Sequence, residues 1–148
     1  MLKEGDNSPD FSLRCQDGGV HSLSDFKGKK IILYFYPKDD TPGCTKEACN
    51  FRDDYLKIKH KNTYIIGISP DSEGDHKKFK QKYNLPFLLL SDPILRVSKM
   101  YGSVKSIFGV KLNKIKRTTF IIDENRKLIK IFPDVSVDRH SEEILNYL

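Results

Sequence analysis

The chain has 148 residues, of which 38% are apolar and 31% charged, enough for one domain with its own core. The net charge is +6, but the lysines spread along the chain without a block of five like charges or stacking aromatics between them, which argues against a nucleic-acid-binding module. No apolar run reaches the ~20 residues of a membrane span, and Met1–Pro9 has no apolar segment of signal-peptide length, so a cytosolic location is expected.

In chain order, a short strand is expected at Phe11–Arg14, a turn at Asp17-Gly18-Gly19 and a second short strand at Val20–Leu23. Lys30–Tyr36 is a near-continuous apolar run with aromatics, the pattern of a strand buried on both faces. Pro42–Lys59 reads as one helix, with Cys44, Ala48, Phe51, Tyr55 and Ile58 on its apolar face. Thr63–Ser69 is the next strand. Ser72 and Asp75 form a capping-box pattern before a helix that ends near Asn84. Phe87–Leu90 is a short strand, and a helix starts at Pro93 and ends at Tyr101, before Gly102. Ser103–Lys116 scatters its apolar residues among lysines and reads as mostly loop. Thr118–Ile122 and Leu128–Phe132 form a hairpin across Asp123-Glu124-Asn125-Arg126, and a helix around Ser141–Leu148 closes the chain. Strands alternating with helices imply parallel pairing, and the closing hairpin adds antiparallel strands. The order is that of an α/β, thioredoxin-like fold with an N-terminal extension and an inserted βα unit, spanning residues 1–148 as one domain.

The chain has three cysteines, too few and too odd a number for a secreted disulfide scaffold. In a reducing compartment a close pair points to catalysis or metal binding. With Thr41 as N-cap, Pro42, Gly43 and Cys44 occupy the first three helical positions. That end of a helix carries unpaired N–H donors and partial positive charge, which favour a thiolate. Ionisation alone has a limited effect. A few per cent of an ordinary thiol is already thiolate at neutral pH, so full ionisation multiplies the reactive population by roughly ten to thirty. Faster chemistry needs donors aimed at the transition state.

Cys49 lies five residues beyond Cys44. On a regular helix that separation puts the Cα atoms ~8.6 Å apart, beyond the roughly 4.4–6.8 Å a disulfide spans. Cys49 is then a packed bystander, a metal ligand, or a partner that bonds Cys44 after the first turns unwind. The four histidines and Cys15 are scattered, which disfavours zinc, and the histidines read as surface residues. Tyr34 and Tyr36 read as packing residues.

The stretch Tyr34-Phe35-Tyr36-Pro37-Lys38-Asp39-Asp40-Thr41-Pro42-Gly43-Cys44-Thr45 resembles the active-site segment of the peroxiredoxins. Cys49 at its spacing resembles the Q-type subgroup, also called the bacterioferritin comigratory protein family, with two cysteines in one chain. Ser8–Leu13, Leu23–Lys29, Gly67–Asp71, Leu85-Pro86-Phe87, Leu90–Pro93 and Arg117–Asp123 extend the resemblance over nearly the whole chain. It implies a thiol peroxidase acting on hydrogen peroxide and organic hydroperoxides. Cys44 would be the peroxidatic nucleophile, and Cys49 the resolving thiol of an intramolecular disulfide. Thr41 would bond the peroxide, Pro37 would shield the pocket, and Arg117 would supply the cationic donor. The resemblance implies recycling by thioredoxin or a similar dithiol and no metal or organic cofactor, and a monomer is expected because the pair lies within one chain. Cys15 has no counterpart in it. The rival thioredoxin-type reductase would carry only two residues between its cysteines, where this chain has four.

Overall fold

The computed structural model describes residues 1–148. Its strands are β1 (Ser12–Cys15), β2 (Val20–Ser22), β3 (Lys30–Phe35), β4 (Thr63–Ser69), β5 (Leu88–Ser91), β6 (Val104–Ile107), β7 (Val110–Ile115), β8 (Thr118–Ile122) and β9 (Leu128–Phe132). Its α-helices are α1 (Pro42–Asp53), α2 (Tyr55–His60), α3 (Glu73–Tyr83), α4 (Arg96–Met100) and α5 (His140–Leu145), with a 3-10 turn at Leu23–Phe26. Seven strands form one sheet in the order β2-β1-β5-β4-β3-β8-β9, and β6 with β7 form a separate hairpin. The β3/β4 and β4/β5 pairs are parallel, as the alternating helices require, whereas β8 returns antiparallel to β3. This is the expected α/β, thioredoxin-like architecture, with β1 and β2 extending the sheet beyond β5. No helix is long and apolar enough to cross a membrane.

The unbroken apolar run of β3 follows from its central place. Ile31, Leu33 and Phe35 enter one core layer with Ile66, Ile68, Leu90 and Phe120. Ile32, Tyr34 and Tyr36 enter the other, with Cys44, Ala48, Phe51 and Ile144. From Ile31 onward alternation along the strand feeds both layers, so no position beyond Lys30 faces solvent. Gly67 faces Tyr34 across the β3/β4 pair. A Cβ there would stand 2.9 Å from the Tyr34 ring, so only glycine lets the ring lie over β4.

Four elements differ from expectation. The Pro42–Lys59 helix is broken at Asp54, which leaves helical backbone (φ −96°, ψ 8°) while its carboxylate accepts from the Ser141 hydroxyl (2.7 Å). Tertiary attachment to α5 thus overrides a helical pattern that the sequence carries through. Ser103–Lys116 is the β6–β7 hairpin rather than loop. The last two helices are shorter than expected, Arg96–Met100 and His140–Leu145. In the Ser72–Asp75 pattern, the Ser72 hydroxyl accepts from the Asp75 amide (3.1 Å).

Candidate active site

Strand β3 delivers the chain through Tyr36-Pro37-Lys38-Asp39-Asp40 to the start of α1. Thr41 is the N-cap by backbone (φ −95°, ψ 158°) and Pro42 stands at the first helical position. The hydroxyl of Thr41 does not cap the helix. It donates instead to the Lys38 carbonyl (2.9 Å), which keeps its lone pairs free to accept. The first intrahelical bond runs from Thr45 N to Thr41 O (2.8 Å), so the Gly43 and Cys44 amides lie ahead of the helix ladder.

Arg117, between β7 and β8, reaches this helix start from far along the chain. Its Nη2 donates to Cys44 Sγ (3.3 Å), and its Nη1 donates to Glu47 Oε1 (2.7 Å). Gly43 makes room for this contact, because a Cβ there would stand 3.2 Å from Arg117 Nη2. Desolvation works against the charge on Arg117, but Glu47 and Cys44 more than offset it, and the guanidinium is held protonated. A thiolate at Cys44 therefore meets a charge-assisted donor as well as the helix end.

Glu47 is a residue that the sequence reading missed. It is wholly buried, and desolvation raises its pKa from the ordinary 4.5 to about 7 against the opposing pull of Arg117. Its signal was present: it stands three residues after Cys44 and four before Phe51, an acid inside the apolar stripe. The histidines are likewise not all surface residues. His76 and His140 are buried, His76 against Asp39 (2.6 Å) and the Leu90 carbonyl (3.0 Å), His140 against Thr119 (2.8 Å) and Glu143 (3.2 Å). Tyr34 and Tyr36 are packed inside, as expected.

All three cysteines are free. Cys44 is buried in the layer between α1 and the sheet, and Cys49 is half-buried further along α1. Thus Cys44, Gly43, Arg117 and Glu47 converge, with Thr41 at the helix cap. Pro37 is exposed at the head of the loop, and Cys15 is buried at the end of β1. A hollow of about 570 Å³ between α1 and α5 is lined by polar and charged groups such as Lys46, Asp54 and Glu142 and does not include Cys44. The sulfur and its fixed cation, rather than a roomy cavity, define the chemistry available here: nucleophilic attack by a thiolate on a small electrophile.

Residues 5–131 match the AhpC/TSA family. The chain is 50% identical to a putative peroxiredoxin Bcp of Coxiella burnetii, with 99% of each chain covered. It is 47% identical to peroxiredoxin Bcp of Bacillus subtilis, over 99% of this chain and 95% of that one. Among solved structures, peroxidoxin BcpB of Mycobacterium tuberculosis superposes with a TM-score of 0.89 at 35% identity, covering 99% and 96% of the two chains. A peroxiredoxin Q variant of Xylella fastidiosa gives 0.92 at 29% identity, covering 99% and 95%. With a reactive-thiol geometry and full-length relatives in agreement, the chain belongs to the AhpC/TSA family as a Bcp/Q-type peroxiredoxin, a thiol peroxidase that reduces peroxides at the expense of a thiol reductant.

Proposed function

We propose that Cys44 is the peroxidatic residue and that Cys49 resolves it within the same chain. The observation that carries this reading is the Arg117 Nη2 contact with Cys44 Sγ (3.3 Å) at the start of α1. The Cys44 thiolate attacks one peroxide oxygen, an S–O bond forms as the O–O bond breaks, and the other oxygen leaves as water or an alcohol once protonated. Arg117 donates to the sulfur and to the charge that develops on the leaving oxygen. The Thr41 hydroxyl, whose proton already serves Lys38, accepts from the peroxide O–H. Pro37, at the exposed head of the loop that leads into α1, is assigned the shielding of the thiol pocket.

The resulting sulfenic acid condenses with the Cys49 thiol, giving the Cys44–Cys49 disulfide and releasing water. Because both thiols sit in α1, the first turns must unwind for the sulfurs to meet. An external dithiol, with thioredoxin as the proposed donor, then reduces the bond by thiol–disulfide exchange. The cycle is complete within one chain of one domain, so a monomer suffices, in a compartment whose reductants keep thiols free: the cytoplasm.

The test is peroxide consumption with thioredoxin and its reductase supplied. Cys44→Ser is expected to abolish turnover. Cys49→Ser is expected to keep one stoichiometric reaction with peroxide but lose recycling. Retained turnover in Cys44→Ser rejects the assignment. Mass spectrometry after one equivalent of peroxide is expected to show a Cys44–Cys49 bond, and a dominant Cys15 bond rejects the resolving role of Cys49.

A further inference from the structure

The segment between β3 and α1 is tied to α3 and to the ends of β4 and β5 by groups the peroxidase chemistry does not use. Asp39 is buried, and both its carboxylate oxygens and its amide have partners. Its Oδ1 accepts from the Tyr36 hydroxyl (2.6 Å), and its Oδ2 lies 2.6 Å from His76 Nδ1 on α3. Its amide donates to Asp71 Oδ2 (2.8 Å), an oxygen that the Ser69 hydroxyl also holds (2.6 Å). The other nitrogen of His76 faces the Leu90 carbonyl (3.0 Å), which can only accept, so Nε2 carries a proton and a second proton lies between Nδ1 and Asp39. Asp40 adopts the left-handed conformation (φ 57°) and is held there by Lys82 Nζ and the Tyr83 hydroxyl, each at 2.8 Å. The chain is therefore pinned to α3 and to the ends of β4 and β5 as far as Asp40.

A second set of ties begins at Asn50. Its Nδ2 donates to the Val137 carbonyl (2.9 Å), its carbonyl accepts from the Ser141 hydroxyl (3.3 Å), and that hydroxyl also reaches Asp54 (2.7 Å). Between the two sets lie residues 41–49, which contain both Cys44 and Cys49. Within this window the Thr41 hydroxyl donates to the Lys38 carbonyl, Lys46 pairs with Asp138, and Arg117 binds both Glu47 and the Cys44 sulfur. Of these, only the Arg117 contact with the sulfur depends on the sulfur's state: it is strong for a thiolate and weak for a neutral sulfenic acid. Oxidation thus weakens the hold on the window and leaves both sets of ties intact.

We propose that Asp39 and His76 are positioning residues that fix the N-terminal boundary of the unwinding segment, so that only the start of α1 opens and Cys44 moves toward an anchored Cys49. The proposal rests on the Cys44–Cys49 reading above. The pair acts on the reaction by holding the loop that presents Thr41 and Cys44 to the peroxide. Loosening it favours the unwound state, which slows peroxide attack but not disulfide closure.

The experiment has two arms. In the first, the wild-type chain is oxidised by one equivalent of peroxide and amide exchange is compared with the reduced chain. The Tyr36 and Asp39 amides, bonded to Ile68 O (3.0 Å) and Asp71, are expected to keep their protection, while the Thr45 amide loses at least tenfold. A Cys44–Cys49 bond accompanied by loss of protection at Asp39 overturns the boundary alone, and absence of that bond overturns the underlying reading as well. In the second arm, rapid-quench mass spectrometry times the sulfenic acid and the disulfide separately. His76→Leu is expected to slow sulfenic acid formation tenfold or more with disulfide closure unchanged or faster. His76→Asn, whose amide can still donate to Asp39, is expected to restore attack to within about threefold. Equal slowing of both steps, or of neither, overturns the positioning role. If the leucine variant does not fold, the wild-type exchange arm still decides.

Discussion

At the scale of single residues, reactivity divides between what the helix end supplies and what Arg117 adds. Ionising Cys44 completely accounts for roughly a ten- to thirty-fold gain over an ordinary thiol. A donor fixed on the reacting atoms is typically worth 10²–10³ in rate. Arg117→Ala is therefore expected to lower the peroxide rate constant by about 10²–10³, well beyond the change in thiolate fraction, as measured by competition kinetics against a reference peroxidase. A loss of tenfold or less, matched by the thiolate titration, rejects the transition-state role. Cys44, Thr41 and Gly43 were legible because local helix-start rules assign each a position. Arg117 stands in the basic run Lys114-Ile115-Lys116-Arg117, and its place before a strand together with the family resemblance separates it from its neighbours. Glu47 was passed over because a surface face is the ordinary place for a helical glutamate, and here it is the partner that fixes the guanidinium (2.7 Å).

At the scale of elements, the sequence was readable wherever burial enforced a period. β3, β4 and β8 carry runs of buried residues, and their apolar pattern gave them away. The β6–β7 hairpin hid because most of its positions face solvent, including Ile107, Phe108 and Val110, so no alternation toward a core exists to be read. Its tip also breaks a local rule. Phe108 and Gly109 both have positive φ (51° and 78°) between the paired Ile107 and Val110, the two-residue turn that favours Asn-Gly. Phe108 is fully exposed and gains no packing there. Phe108→Asn is expected to preserve the fold and stabilise it by up to about 1 kcal/mol, since asparagine tolerates the left-handed region. Thermal unfolding checks this, and a clear fall in Tm shows that the phenyl ring has a structural role at the tip.

At the scale of the whole molecule, the buried Glu47 couples the active site to global stability. Its pKa in the fold is about 7 against an ordinary 4.5, chiefly through desolvation, so the native state binds this proton more tightly than the unfolded chain does. Between pH 4.5 and about 7 the unfolded state releases the proton first, and stability falls as pH rises through that window. The full difference, at about 1.4 kcal/mol per pKa unit, is ~3 kcal/mol and persists above pH 7. Glu47→Gln keeps the shape and an oxygen for Arg117 but cannot ionise. Relative to wild type, the variant is expected to gain stability progressively from pH 4.5 to 7 and to hold that gain above it. Comparing the two proteins at each pH cancels the titration of every group that behaves alike in both, so the difference reports Glu47. Urea unfolding at pH 4.5, 6 and 8 measures it, and a pH-independent difference shows that Arg117 holds the carboxylate ionised throughout. In that case the cation at Cys44 is already neutralised by Glu47 across the range, and its contribution to the peroxide reaction must rest on hydrogen-bond geometry rather than on net charge.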